Sequence, residues 1–542
     1  MNKRKTGVVH KIQISLLSVL VMSSVNIVAQ DFGSTAARKL QVAEFAISHL
    51  YVDHVDEDKL VESAIVGMLK ELDPHSTYSD AEEVKKMNEP LQGNFEGIGV
   101  QFNMIEDTLF VIQPVSNGPS EKVGILAGDR IVAVNDTAIA GVKMSTEEIM
   151  SRLRGPKNTQ VNLKVVRRGL KEPLQFTVAR DKIPIYSLDA SYMIRPKVGY
   201  IRINRFGATT AEEFETAILK LKKLGMNDLI VDVQGNGGGY LNAAIDLSNE
   251  FLDTKDLIVY TQGRSAQRSD FFARGTGNFK KGRLIVLVDE FSASASEILS
   301  GAIQDWDRGV IVGRRTFGKG LVQRPIDLPD GSIIRLTVAR YYTPAGRSIQ
   351  KPYQTETGET NPSAYHNDLI DRYNRGEMLT ADSIHFPDSL MYKTARLGRT
   401  VYGGGGIMPD YFVPIDTTRY TDYHRMIAAR GLILNTSMKY VENNRTRLLN
   451  QYKNFNNFNK SFTVNADLLD MLREAADKSG VEFNEQQYET SLPFIKSQLK
   501  GVIARDLWEM SEYYQVINET NESVQSAVKL LEDGGYEKIL SN

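Results

Sequence analysis

The segment Ser292-Ala293-Ser294-Ala295-Ser296-Glu297 offers three candidate nucleophiles, and Lys319 in Thr316-Phe317-Gly318-Lys319-Gly320 follows shortly after it. A serine hydroxyl becomes nucleophilic only beside a base. None of the seven histidines lies between His75 and His366, so a lysine is the natural base in this stretch. Lysine serves only when neutral. At its ordinary pKa of about 10.4, roughly one molecule in a thousand is neutral near pH 7.4. Burial lowers that pKa, and the flanking Phe317 and Leu321-Val322 are compatible with burial. Gln323 comes four residues after Lys319. If the segment is a strand, both side chains share one face, and a neutral amide would orient the amine without fixing it as a cation.

Ser294 has a second reading, because Ser294-Ala295-Ser296-Glu297 is a helix capping box. It follows an apolar strand and opens a helix, where backbone N–H groups lack helical acceptors and can stabilise an oxyanion. Local sequence leaves the choice among Ser292, Ser294 and Ser296 open. Gly235-Asn236-Gly237-Gly238-Gly239 follows another apolar strand, Asp228 to Val233. Glycine lets backbone approach a substrate closely. An amide of this run, assigned to Gly238, is expected to form an oxyanion hole with that of Ala295. A dinucleotide fingerprint is only weakly matched, because Tyr240 stands where its last Gly or Ala is needed.

These groups need elements to position them. From about 36 to 89 apolar residues recur at spacings of three and four, as in helices. From about 94 to 180 short β-runs alternate with Gly-Asp turns. Between 183 and about 414 strands alternate with helices, which argues for an α/β core. The stretch from about 355 to 400 is polar and turn-rich and reads as an insertion. After about 421 the chain is helical, with the Asn-, Phe- and Lys-rich stretch 450–459 read as a linker or loop. The expected division is a signal at 1–30, a helical region at 31–92, a β-domain at 93–181, a core at 182–420 and a helical region at 421–542.

The 542 residues exceed one ordinary core. A net charge of −2 gives no general attraction to nucleic acid. The absence of cysteine excludes disulfides, a thiol nucleophile and thiolate metal sites. Lys3, Arg4, Lys5 and Lys11, followed by a largely apolar run to Ala29, read as an export signal; if uncleaved, it would tether the protein to a membrane. The protein is therefore expected outside the cytoplasm, most simply in a periplasm.

The segment 94–180 resembles a PDZ domain, most specifically in Gly97-Ile98-Gly99-Val100 and Gly128-Asp129-Arg130-Ile131. Jointly with Leu72-Asp73-Pro74-His75-Ser76, Asp232 to Gly239, Ser292 to Ile298, Thr316 to Gln323 and Tyr341 to Gln350, it makes the chain resemble the C-terminal processing, or tail-specific, serine proteases. The resemblance covers about 72–414. It implies a ClpP/crotonase-like α/β core with an inserted PDZ β-domain and helical terminal regions. It also implies Ser294 as nucleophile, Lys319 as general base, Gln323 as its support, and no metal or cofactor. A PDZ domain takes a peptide as an added strand and holds its carboxylate on loop amides, here those of Gly97, Ile98 and Gly99. Arg167 matches a position where the family often carries an arginine that could couple peptide binding to activity. The implied partners are proteins with free, unstructured C-termini, and a homodimer is a further candidate assembly. The competing functions are a non-catalytic PDZ adaptor and an acyl-thioester enzyme on a similar core.

Overall fold

The computed structural model describes residues 34–353 and 362–541. The expected export signal at 1–30 and the start of the expected insertion lie outside these residues. The chain divides after Met68 into two compact units. The first holds the helix Thr35–Leu50, capped by Ser34, whose hydroxyl accepts from Ala37 N–H (3.2 Å). That helix buries none of its residues. Among the described residues no helix is long and apolar enough to cross a membrane.

The second unit is built on a six-stranded sheet. Its strands run in the order Leu188–Arg195, Val198–Ile203, Asp228–Asp232, Leu284–Val288, Val310–Gly313 and Tyr411–Phe412. The first pair is antiparallel and the others are parallel. Asp228–Asp232 and Leu284–Val288 are buried at every position, as parallel strands covered on both faces must be. One face carries Ile201, Val231, Val286 and Ile311 against the helices Thr210–Lys223, Leu241–Ser248 and Ala295–Asp305. The other carries Tyr200, Ile230, Ile285 and Val312 against Val524, Ala527, Val528 and Leu531 of the helix Glu522–Glu532. A helix from the end of the chain thus closes the core, which the sequence alone did not indicate.

A second, antiparallel sheet sets Ile333–Tyr342 between Thr77–Ser79 and Leu257–Gln262, and Leu321–Asp327 also pairs with Ile333–Tyr342. The PDZ-like sheet has the order Val100–Ile105, Thr108–Pro114, Arg130–Val134, Gln160–Val166, Leu174–Ala179. Gln160–Val166 alternates exposed and buried along its length, so one face is core and the other solvated. The long helix Leu432–Tyr452 meets this domain: Met438 packs on Phe110 and Ile112, and Glu442 pairs with Arg130 at 2.7 Å.

Three local expectations change. The stretch 450–459 is largely helical, in Leu432–Tyr452 and Phe455–Ser461, broken where Asn454 caps the second helix by accepting from Asn457 N–H. Phe455 and Phe458 are buried in the helical core, so their packing outweighs the poor helix propensity of asparagine. The insertion contains a helix, Pro362–Asn374. Lys319 and Gln323 do not share a strand, because the strand starts only at Leu321 and its register shifts between Val322 and Gln323.

Candidate active site

The strand Leu284–Val288 delivers the chain to a turn fixed by Asp289. Its carboxylate accepts from the N–H groups of Gly235 (2.9 Å), Phe291 (3.0 Å) and Ser292 (3.1 Å). Ser294 then sits at φ +55°, ψ −110°, immediately before the helix Ala295–Asp305. A non-glycine residue held there costs on the order of 1–3 kcal/mol and persists only when its surroundings enforce it. The three serines separate cleanly. Ser292 and Ser296 are fully buried, and their hydroxyls donate to Val233 O (2.8 Å) and Asn236 O (2.9 Å). Ser294 is half-buried, and Glu297 N–H bonds its carbonyl (2.9 Å).

The glycine run lies against this serine. A Cβ built on Gly238 would meet Ser294 Cβ at 2.8 Å and Ala295 N at 3.0 Å. Only glycine permits that approach, at φ +102°. The Gly238 N–H already donates to Asn236 Oδ1 (2.8 Å), so of the two amides assigned to the oxyanion hole that one is engaged. The Ala295 N–H opens the helix and is one of the amides without an intrahelical acceptor.

Glu297 ties the serine to the lysine loop. Its fully buried carboxylate accepts from Ser294 N–H (2.8 Å), Lys319 N–H (2.9 Å), Gly318 N–H (2.7 Å) and the Thr316 hydroxyl (2.5 Å). Burial raises its pKa, and these four donors oppose the rise. Tyr341 reaches the same two residues from the opposite polarity: its hydroxyl lies 3.2 Å from Ser294 O and also donates to Lys319 O.

Lys319 is half-buried, and its amine enters no ion pair among the described residues. Burial is the main cause lowering its pKa, and Arg335 adds to it, while Glu297 and Asp73 pull the other way. Gln323 is placed near this network through another residue. Its amide donates to Thr337 Oγ1 (3.3 Å), and that hydroxyl donates to Asp73 Oδ1 (3.0 Å). Asp73 is buried and also accepts from His75 N–H (2.8 Å), Ser76 N–H (3.0 Å) and the Ser76 hydroxyl (2.6 Å). The turn Leu72 to Ser76 thereby joins the site. Burial and Lys319 lower the His75 pKa to about 4, so its ring is neutral at ordinary pH.

Glu297 and Tyr341 were not singled out from sequence as site residues. Glu297 reads there as an ordinary capping residue, and only the fold shows that its acceptors reach a second loop.

In the PDZ-like domain Ile98, Gly99, Val100, Phe102, Met150 and Leu153 line a cavity of about 510 Å³. The strand Val100–Ile105 is at the sheet edge, with a free side for an added strand. Gly97 ends a short strand paired with Asp181, outside that lining. Arg167 bonds Asp129 (2.8 Å) and Gly124 O (2.7 Å) within the same domain.

Comparison with known proteins agrees with this layout. The model of peptidase family S41 matches residues 197–357, that of the PDZ domain 97–179, and that of the activating protease CtpB N-terminal domain 19–83. A family of unknown function matches 423–509. The carboxy-terminal-processing protease of Bartonella bacilliformis is 35% identical over 354 residues, covering 63% of this chain and 80% of its own length. The carboxy-terminal processing protease CtpB of Bacillus subtilis is 36% identical over 320 residues, covering 58% of this chain and 66% of its own length. Among solved structures, a photosystem II D1 C-terminal processing protease aligns at 30% identity over 61% of this chain and 86% of its own, with a TM-score of 0.34.

Proposed function

The chain belongs to the carboxy-terminal processing proteases, serine peptidases of family S41 with a PDZ domain, and on that premise we propose that Ser294 and Lys319 are its catalytic pair. The Ser294 hydroxyl adds to the scissile carbonyl carbon and gives its proton to neutral Lys319. The oxyanion faces the Ala295 N–H, since the Gly238 N–H is engaged by Asn236 Oδ1. Lys319 passes the proton to the departing amine, which leaves an acyl ester on Ser294. Water then attacks the ester with Lys319 again as base, releasing the acid and restoring the hydroxyl. Gln323 is proposed as the supporting residue, bonded to Thr337, whose hydroxyl donates to Asp73 beside the lysine loop.

The observation that carries this reading is the sorting of the three serines. Two hydroxyls are spent on buried carbonyls, and the third stands at a strained helix entrance tied through Glu297 to the lysine loop. Ser294→Ala and Lys319→Ala should each abolish cleavage of an unstructured substrate while the circular dichroism stays that of the folded protein. Full activity in either variant excludes the mechanism.

The PDZ groove is proposed to take the substrate's free C-terminus as a strand beside Val100–Ile105, with its carboxylate on the amides of Ile98 and Gly99. Amidating the terminus of a labelled peptide should weaken binding by at least about tenfold in fluorescence anisotropy, since the amide loses the charged acceptor; equal binding counts against it. Export is proposed from the basic and apolar start of the sequence, so fractionation should find the protein outside the cytoplasm. A homodimer through the first unit is proposed because Val42, Phe45 and Leu50 of the helix Thr35–Leu50 are exposed. Light scattering on a chain lacking residues 1–56 should then give a lower mass relative to the monomer than the intact protein gives.

A further inference from the structure

The insertion takes no part in the chemistry above, yet its helix Pro362–Asn374 packs on the loop that carries Lys319. Arg372 is 2% exposed, and its guanidinium donates to Thr316 O (3.2 Å) and Arg315 O (2.6 Å). Burying a guanidinium is costly unless its donors are met. Here the acceptors are two main-chain carbonyls on the approach to Lys319, with Glu377 at 3.7 Å and Asp368 at 4.0 Å as counter-charges.

Earlier in the same helix, Tyr365 is 4% exposed, with its hydroxyl 2.6 Å from His75 Nε2. Its ring meets Phe317 edge-on at 6.1 Å, and Phe317 is two residues from Lys319. The Lys351 ammonium lies over both rings, 4.0 Å from that of Phe317 and 4.2 Å from that of Tyr365, and pairs with Asp368 at 3.0 Å. Its backbone N–H donates to Gly318 O (2.9 Å). The loop is thus held on its inner side by Glu297 and on its outer side by the insertion.

We propose that the insertion helix is the outer wall of the general-base site, with Tyr365 and Arg372 as positioning residues that hold the Arg315–Lys319 loop and keep water from the Lys319 amine. This rests on the assignment of Ser294 and Lys319 as the catalytic pair. The charged and titratable groups facing Lys319 are Glu297 from the nucleophile helix, Asp73 and His75 from the turn before Thr77–Ser79, and Arg335 from Ile333–Tyr342. The insertion contributes none of these charges, and its effect is dehydration. Opening the wall lets water reach the amine and raises its pKa. Because the base must be neutral, the acidic limb of the activity profile then moves to higher pH.

The test is the pH dependence of kcat and KM for cleavage of an unstructured peptide by the full chain carrying Tyr365→Ala, Tyr365→Phe or Arg372→Met. Tyr365→Ala and Arg372→Met should lower kcat about tenfold, leave KM within about twofold and move the acidic limb upward. Tyr365→Phe keeps the ring and should restore the limb to its wild-type place. Should Arg372→Met fail to fold, the two Tyr365 variants decide the matter. A folded Tyr365→Ala enzyme with an unmoved limb overturns the proposal, as does a fall in kcat that only tracks loss of folded protein. Ser294→Ala and Lys319→Ala measured alongside separate the two layers. If they are active, the catalytic assignment itself fails; if they are inactive and the limb does not move, only the wall fails.

Discussion

Ser294 and Lys319 share one acceptor: Glu297 Oε2 takes the backbone N–H of the first at 2.8 Å and of the second at 2.9 Å. The Tyr341 hydroxyl faces the carbonyls of the same two residues. The pair is therefore registered through its main chain, from both polarities, rather than by a bond between the hydroxyl and the amine.

Replacing Glu297 by Gln should test this registration. The amide keeps the shape but loses the charge and turns two acceptor sites into donors facing N–H groups. Hydrogen bonds to a charged group are worth roughly 1.5–3 kcal/mol each, so a loss of about 100-fold in kcat and a clear drop in Tm are expected. Kinetics within about threefold of wild type would show that the carboxylate does not set the pair.

The neighbouring serines should behave differently from Ser294. Ser292→Ala and Ser296→Ala strip a donor from buried carbonyls, at a cost of about 1–3 kcal/mol in stability, and each should retain measurable turnover. Denaturant melts paired with peptide cleavage separate the two effects. An inactive but fully stable Ser296→Ala would move the nucleophile assignment.

Gly238→Ala brings a Cβ to 2.8 Å from Ser294 Cβ, in a backbone region that disfavours side chains. Displacing the nucleophile by a fraction of an ångström should lower kcat by about 100-fold with KM little changed. Steady-state kinetics on the folded variant checks it.

Lys319→Met should stabilise the protein at neutral pH by on the order of 1 kcal/mol, as buried catalytic groups usually trade stability for activity. The sign follows from the lowered pKa of Lys319. Between its folded value and its ordinary value the unfolded chain binds more protons, so wild-type stability rises with pH through that window. The advantage of the methionine variant should shrink as pH climbs toward the ordinary lysine value. Denaturant melts of both proteins across pH read this, and an advantage that does not change with pH would contradict it.

The α/β alternation and the PDZ-like strands were legible because each is a local pattern of period or turn chemistry, whereas the choice of Ser294 among the three serines came only from the family resemblance. What stayed illegible was contact between distant segments. Nothing local in Glu522–Glu532 says that it covers the second face of the central sheet, and nothing in Tyr365 or Arg372 says that they reach His75 and the Arg315 carbonyl. The expected common face of Lys319 and Gln323 failed for a similar reason: the glycines beside Lys319 leave it in a loop braced by Glu297, and the strand begins after it.

The central claim is that the amine of residue 319 is itself the base. Its most direct test replaces that amine by one of lower basicity. Lys319→Cys alkylated with bromoethylamine carries γ-thialysine, of nearly the same length and with a more acidic ammonium; the chain has no other cysteine to react. If the amine takes the Ser294 proton, alkylation restores cleavage to the inactive cysteine variant and moves the acidic limb of the kcat profile to lower pH than wild type. Restored activity with the limb unmoved would contradict the assignment.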